Sequence, residues 1–202
     1  MRTSAAVLAG GRSRRLGLPK ATLRLGGRTL LERTLELLQD LFEEVLVVTS
    51  SRRDLPPLPI PVLEDLVPGQ GPLGGLHAAL RRCRFGWCFV VACDMPCLRP
   101  EPIRYLCSLS REGYQAVVPR VAQGWEPLHA LYSKECLPEV ERGLREERPS
   151  LQDLLGRLRV RAVEPRELIP LDPELRFLWN LNSWEDYRRL ASRAGRSTPP
   201  RA

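Results

Sequence analysis

Lysine is almost missing from this sequence, although the chain is basic. Of its 31 basic residues only Lys20 and Lys134 are lysines, and all the others are arginines. Arginine and lysine offer different geometries to an anion, since lysine presents a compact point charge. Because the composition prefers arginine so strongly, we expect a lysine inside a glycine-rich loop, as Lys20 is, to have a chemical task.

The sequence also lacks a long apolar run and a C-x-x-C pair. No run reaches the roughly 18 to 20 residues that a membrane span needs, and the first residues lead straight into a short strand-like run instead of a signal sequence. The six cysteines are therefore expected to be buried, reduced thiols and not disulfides or metal ligands. We expect a cytoplasmic protein with no membrane partner.

The charge balance admits two classes of partner. A net charge of +7 and a pI near 9.5 are compatible with nucleic-acid binding, but 24 acidic residues are interspersed and no long basic run precedes the C-terminus. Anionic small substrates explain the sign equally well. We therefore expect no nucleic-acid partner, and a basic nucleic-acid-binding protein stays as the alternative from another class.

The length favours one domain. A chain of 202 residues with 43% hydrophobic content can bury one sizeable core, and no internal repeat or linker divides it. We expect residues 1–194 to form a single domain and the polar, proline-containing residues 195–202 to form a flexible tail.

Apolar runs and capping signals predict alternating strands and helices. Thr29 and Glu32 have the spacing of a capping box, and so do Ser183 and Asp186. Runs that are apolar throughout, and so buried on both faces, favour a parallel sheet. The predicted strands are 4–8, 45–48, 61–63, 88–92, 116–119 and 129–132, and the predicted helices are 30–41, 73–82, from about 101, 137–145, 151–158 and 184–193.

This alternation predicts an α/β fold with a doubly wound, mostly parallel, Rossmann-like sheet. Ligands of such sheets bind outside the carboxyl ends of the strands. Gly10, Asp65 and Asp94 each directly follow a predicted strand. Three separate segments are therefore expected to meet in one crevice.

The segment LAGGRSRRLGLPK, residues 8–20, has the composition of a triphosphate-binding loop. Its glycines allow backbone amides to approach a phosphate closely, and its arginines and Lys20 can neutralise the charge. The segment is neither a Walker A loop nor a G-x-G-x-x-G fingerprint. A basic surface loop without a ligand is the alternative interpretation.

Two aspartates are candidates for the nucleotide and its metal. Asp94 ends an apolar strand and precedes Met95-Pro96, where its carboxylate could hold Mg²⁺ between phosphates. Asp65 precedes a glycine-rich segment, GQGPLGG, and could accept hydrogen bonds from a ribose or a base. Either residue could instead be an ordinary turn aspartate.

Five motifs taken in order resemble the molybdenum cofactor guanylyltransferase family. They are LAGGRSRRLGLPK, LED with GPLGG, CDMP, PLHALY and NLNSWEDY, and together they cover most of the chain. Related sugar-phosphate and cytidine nucleotidyltransferases share the opening loop and the central aspartate. Gly10-Gly11 resembles the guanylyl branch more than the cytidylyl branch, so the base assignment depends on one residue.

The resemblance implies a role for each matching position. The backbone of Leu8, Ala9 and Gly10 would line the guanine and sugar. Lys20 would contact the phosphates, and Asp65 would contact the nucleoside. Asp94 would bind the phosphates through Mg²⁺, and Arg15 would also contact phosphate. Asn180 and Asn182 would contact the pterin substrate; on an extended strand both amides would face one side, and the Ser183 capping box would leave both free.

The resemblance implies transfer of GMP from GTP to Mo-molybdopterin, which yields the guanine dinucleotide cofactor and pyrophosphate. Lys20, Asp94 and Arg15 are the expected catalytic residues, and proteins that hand over or receive the cofactor are possible partners. A sister nucleotidyltransferase that uses CTP or another phosphorylated acceptor is the nearest alternative. A regulatory module that binds nucleotide without turnover is the third.

Overall fold

A computed structural model describes residues 2–10, 16–64, 69–111 and 113–194. Ten strands and seven α-helices lie in this part of the chain. The strands are β1 (Ser4–Leu8), β2 (Arg24–Leu25), β3 (Arg28–Thr29), β4 (Val45–Thr49), β5 (Val62–Glu64), β6 (Trp87–Ala92), β7 (Ala116–Val121), β8 (Gly124–Trp125), β9 (His129–Ser133) and β10 (Val160–Val163). The helices are α1 (Leu30–Gln39), α2 (Gly71–Arg82), α3 (Pro100–Ser108), α4 (Leu137–Gly143), α5 (Leu151–Leu155), α6 (Pro165–Leu168) and α7 (Trp184–Ala194).

Eight strands form one mixed sheet in the order β10-β7-β9-β6-β1-β4-β5, with β8 paired to β7. Neighbours β6, β1, β4 and β5 run parallel, as do β10 and β7. Strand β9 runs antiparallel to both of its neighbours. The sheet is therefore parallel around β1 and reversed at one central strand.

Helices cover both faces of the sheet, which confirms the α/β prediction. On one face α1 and α3 pack with Leu168 and Phe177 against the strands. On the other face α2, α4 and α5 pack against the same strands. Strands β1, β4 and β9 are consequently buried along their whole length.

Two details of the sheet differ from the sequence prediction. Strand β9 is as fully buried as β1, yet it is antiparallel, because burial on both faces follows from helices on both sides and carries no information about direction. The hairpin of β2 and β3, the short strand β8 and the β10–α6 unit were not predicted. Gly26 and Gly27, with φ of +62° and +85°, form the tight turn of that hairpin.

The capping signals were read correctly. The Thr29 hydroxyl accepts from the Glu32 amide at 3.1 Å, and the Glu32 carboxylate accepts from the Thr29 amide at 2.7 Å. Asp186 and Ser183 make the equivalent contacts at the start of α7. Residues 195–202, predicted to be a tail, lie outside the described residues.

The cysteine prediction is confirmed for five of the six cysteines. All six lie in the described part of the chain and none forms a disulfide there; five are buried, whereas Cys97 is only partly buried. Burial raises the pKa of Cys93, next to Asp94, to about 12. Among the described residues no helix is both long and apolar enough to cross a membrane.

His129, at the start of β9, is fully buried between two aromatic rings. Its ring centroid lies 5.1 Å from that of Phe89 and 4.9 Å from that of Phe177. Neither ring nitrogen has a hydrogen-bond partner among the described residues. Desolvation of this site lowers the pKa of His129 to about 3, so the imidazole is neutral in the folded protein.

We predict that His129 destabilises the fold in acid. The unfolded chain protonates this histidine near its ordinary pKa of about 6.5 and the folded chain does not, so stability is lost as pH falls from about 6.5 toward 3. From pH 7.5 to pH 5 the loss from this residue is about 2 kcal/mol. Urea unfolding at both pH values should show it in the wild type, and His129→Leu should remove that part of the slope. Equal slopes in the two proteins would contradict the assignment.

Candidate active site

The carboxyl ends of β1 and β6 lie side by side and carry the glycine loop and Asp94. Leu8 pairs with Ala92 in the parallel register, and the Cys93 amide donates to the Leu8 carbonyl at 3.2 Å. Gly10 and Asp94 therefore leave the sheet at the same edge. This confirms the predicted convergence for these two segments.

Two predicted site residues cannot be placed. Asp65, which follows β5, and Arg15 of the loop both lie outside the described residues. The course of the loop is described again from Leu16 onward. Pro19 has an extended backbone, and its carbonyl accepts from the Thr22 amide at 3.1 Å and from the Thr22 hydroxyl at 2.9 Å. This turn directs Lys20 toward the end of β6.

Lys20 and Asp94 form an ion pair at this edge. The Lys20 Nζ lies 2.6 Å from the Asp94 Oδ2, and each side chain is only 16% exposed. A partly desolvated charge needs a partner, because burial alone disfavours the charged form. The two residues that the sequence singled out for phosphate and metal are therefore in direct contact.

The second carboxylate oxygen of Asp94 is available for a cation. Oδ1 is buried and has no hydrogen-bond partner among the described residues. In the described part of the chain no three His, Cys, Asp or Glu side chains are grouped to hold a metal by themselves. A cation at Asp94 would thus take further oxygen ligands from a bound anion or water.

The segment before α7 reaches the same point. The Leu181 amide donates to the Asp94 carbonyl at 2.8 Å, and the Lys20 Nζ donates to the Asn182 Oδ1 at 2.7 Å. The backbone amide of Asn182 in turn donates to the Asp186 carboxylate at 3.0 Å. Asn182 is therefore held next to the Lys20–Asp94 pair.

The geometric prediction for the two asparagines was wrong. They do not lie on a strand, and their amides are not both free. Asn182 accepts from Lys20, while the exposed Asn180 donates to the Leu178 carbonyl at 3.3 Å. The pair diverges because Leu181 is anchored to Asp94 and the cap of α7 begins directly after Asn182.

Asn180 instead borders a shallow cleft of about 230 Å³. The Arg189 guanidinium lies 4.4 Å from the centre of the Trp179 ring, which places a cation on the wall of this cleft. The lining residues are Trp179, Asn180, Asp186, Arg189 and Leu190.

The glycines of GPLGG let α2 pack closely on the end of β1. A Cβ on Gly75 would lie 3.1 Å from the Leu8 Cδ1, so a larger residue there would require the Leu8 side chain to shift. Gly69 and Gly71 have φ of +83° and +57°, which other residues rarely adopt. The motif thus favours close packing of α2 against Leu8.

The family model described as the MobA-like NTP transferase domain matches residues 5–162. The chain belongs to this family. It is therefore a nucleotidyltransferase, as the opening loop and Asp94 predicted.

Relatives of this MobA-like protein support the assignment along almost the whole chain. A probable molybdenum cofactor guanylyltransferase of Pelotomaculum thermopropionicum is 40% identical over 187 residues, which is 92% of this chain and 90% of that protein. The molybdenum cofactor guanylyltransferase of Desulfosudis oleivorans is 33% identical over 193 residues, 94% of this chain and 96% of that one.

A solved structure extends the similarity to the fold. The molybdopterin-guanine dinucleotide biosynthesis protein A of Archaeoglobus fulgidus superposes with a TM-score of 0.84 at 30% identity, covering 96% of this chain and 99% of that one. The 2-C-methyl-D-erythritol 4-phosphate cytidylyltransferase of Thermus thermophilus, at 21% identity and a TM-score of 0.66 over 96% and 100%, shares the fold.

The sequence did not single out Trp179 and Arg189, which line the cleft beside Asn180. Only the tertiary structure stacks the Arg189 guanidinium on the Trp179 ring. Glu126, just before the PLHALY motif, is half-buried, and burial raises its pKa. Both features depend on tertiary packing, so no local signal in the sequence indicates them.

We predict that Gly10→Ala damages the site more than a matched glycine substitution elsewhere. A Cβ at Gly10 would lie 3.2 Å from the Ser50 backbone nitrogen, so the end of β1 must move away from β4. We expect a loss of stability of about 1 kcal/mol or more and weaker nucleotide binding. Gly86→Ala, whose Cβ would meet no atom within 4 Å, is the control. Calorimetric titration with nucleotide and thermal melting measure both effects; equal behaviour of the two variants would contradict this role for Gly10.

Proposed function

We propose that this enzyme transfers GMP from GTP to the terminal phosphate of molybdopterin, with Mg²⁺ as its metal cofactor. The observation that carries the proposal is the Lys20–Asp94 pair at the carboxyl edge of the sheet, in which the second, buried Asp94 oxygen has no hydrogen-bond partner among the described residues. Lys20, the proposed phosphate-binding cation, and Asp94, the proposed metal-binding carboxylate, are in direct contact there. Relatives named molybdenum cofactor guanylyltransferase support the choice of substrates.

The nucleotide lies, in this proposal, across the ends of β1 and β6. The backbone of Leu8, Ala9 and Gly10 lines the guanine and ribose, and Asp65 contacts the nucleoside. Lys20 and Arg15 neutralise the phosphates. Gly10-Gly11 favours guanine over cytosine, while the cytidylyltransferase with the same fold indicates that the fold itself leaves the base open.

Asp94 is the residue that fits Mg²⁺. A hard cation prefers carboxylate oxygen, and Mg²⁺ usually binds one or two carboxylates together with phosphates and water. The free Oδ1 of Asp94 and the absence of a larger ligand cluster in the described residues match that pattern. When bound, the ion would supply charge stabilisation to the triphosphate.

The acceptor approaches from the segment before α7. An oxygen of its phosphate attacks the α-phosphorus in line, a new P–O bond forms, and the bond to the β-phosphate breaks as pyrophosphate leaves. No protein nucleophile takes part, because positioning and charge stabilisation carry the catalysis. The cleft beside Asn180 supports this placement, since Arg189 offers its guanidinium to an anion there.

A direct assay tests the proposed function. The protein is incubated with molybdopterin, Mg²⁺ and each of GTP, CTP, ATP and UTP, and the products are identified by mass spectrometry. We expect the guanine dinucleotide and one equivalent of pyrophosphate with GTP alone. A cytosine dinucleotide would identify the sister activity, and binding of GTP without pyrophosphate release would indicate a regulatory module.

We also predict that Asp94→Asn lowers turnover by about 100-fold or more, because the neutral amide cannot anchor the metal. The amide oxygen can still accept from Lys20, so the fold should persist and thermal melting should change little. Turnover is measured across a Mg²⁺ titration. Near-full activity of the variant at limiting Mg²⁺ would contradict the metal assignment.

A further inference from the structure

The two asparagines of the NLN segment occupy different surroundings, although they are only two residues apart. Both are exposed, but Asn180 borders the Arg189 cleft. Asn182 instead contacts Lys20 at 2.7 Å, on the nucleotide side. One segment thus touches both proposed substrate positions with two different side chains.

The backbone that carries the Asn182 side chain is held in place. The Asn182 backbone amide donates to the Asp186 carboxylate, and the preceding amide, that of Leu181, donates to the Asp94 carbonyl. The side chain that meets Lys20 therefore extends from a backbone held at two successive amides. An acceptor on such a backbone can order a flexible lysine, whose side chain otherwise loses considerable rotamer freedom when it binds a ligand.

The ammonium of Lys20 has three N–H groups. Within the described part of the chain two of them are directed at Asp94 Oδ2 and Asn182 Oδ1. The remaining N–H is left for a phosphate oxygen. When a phosphate competes with Asp94 for the ammonium, Asn182 is the neutral partner that keeps Lys20 at the site without adding negative charge.

We propose that Asn182 is a positioning residue of the phosphate site that acts through Lys20, and that Asn180 alone of the pair serves the acceptor. The inference deepens the proposed function and rests on it, because it assigns Asn182 to the phosphates of GTP and Asn180 to molybdopterin. Its test uses pyrophosphate, which carries neither base nor acceptor, so a failure of the GTP or molybdopterin assignment is distinguished from a failure of this proposal.

Calorimetric titration of Mg-pyrophosphate into the wild type, the two single variants and the double variant measures the coupling between Asn182 and Lys20. Asn182→Ala should weaken binding about tenfold, the size expected for ordering one lysine side chain. Lys20→Ala should weaken it at least as much. In the double variant Asn182→Ala should have no further effect, because its partner is gone. Asn180→Ala, the matched control two residues away, should leave the pyrophosphate affinity unchanged.

A second measurement follows Lys20 directly, since the chain has only two lysines. In protein labelled at lysine Nζ, the Lys20 ammonium should give a signal protected from exchange by its contacts with Asp94 and Asn182. Asn182→Ala should reduce this protection, and Asn182→Asp, with its accepting oxygen, should retain it. The Lys134 signal is the internal reference. The proposal is overturned if wild-type protein does not bind pyrophosphate, if Asn182→Ala costs the same with and without Lys20, or if the Lys20 signal is unchanged in Asn182→Ala.

Discussion

The Lys20 ammonium, through its contacts with the Asp94 carboxylate and the Asn182 side chain, joins three parts of the chain that are distant in sequence. Lys20 comes from the loop after β1, Asp94 from the end of β6, and Asn182 from the segment before α7. Both charged side chains are largely shielded from water, so each depends on the other for compensation. Whatever moves one of these segments alters the charge balance at the proposed reaction centre.

The sheet holds this contact in place through strand direction. Strands β1 and β6 are parallel neighbours, and their last residues pair directly, which brings the loop and the aspartate to one edge. The antiparallel β9 begins at that edge, because the Ala92 amide donates to the Leu128 carbonyl. The PLHALY motif therefore belongs to the surroundings of Asp94, although it lies more than thirty residues further along the chain.

Close packing brings neighbouring segments together at this edge of the sheet. Glycine at position 75 lets α2 rest on Leu8, and Gly10 lets the end of β1 pass close to Ser50. Buried His129, stacked between Phe89 and Phe177, is a neutral part of this core with no access to the reaction. The site thus combines a rigid apolar base with a few charged groups at its rim, an arrangement suited to catalysis by positioning.

The sequence by itself determined the alternation of strands and helices, the capping boxes at Thr29 and Ser183, and the convergence of the Gly10 loop with Asp94. These features follow from local periodicity, from hydrogen bonds within one turn, and from the rule that parallel strands end at a common edge. Only the tertiary structure decided the direction of β9, the different side-chain partners of Asn180 and Asn182, and the stacking of Arg189 on Trp179. Each of these depends on which distant segment packs alongside, and a contact such as that of Lys20 with Asn182, 162 residues apart, leaves no local pattern in the sequence.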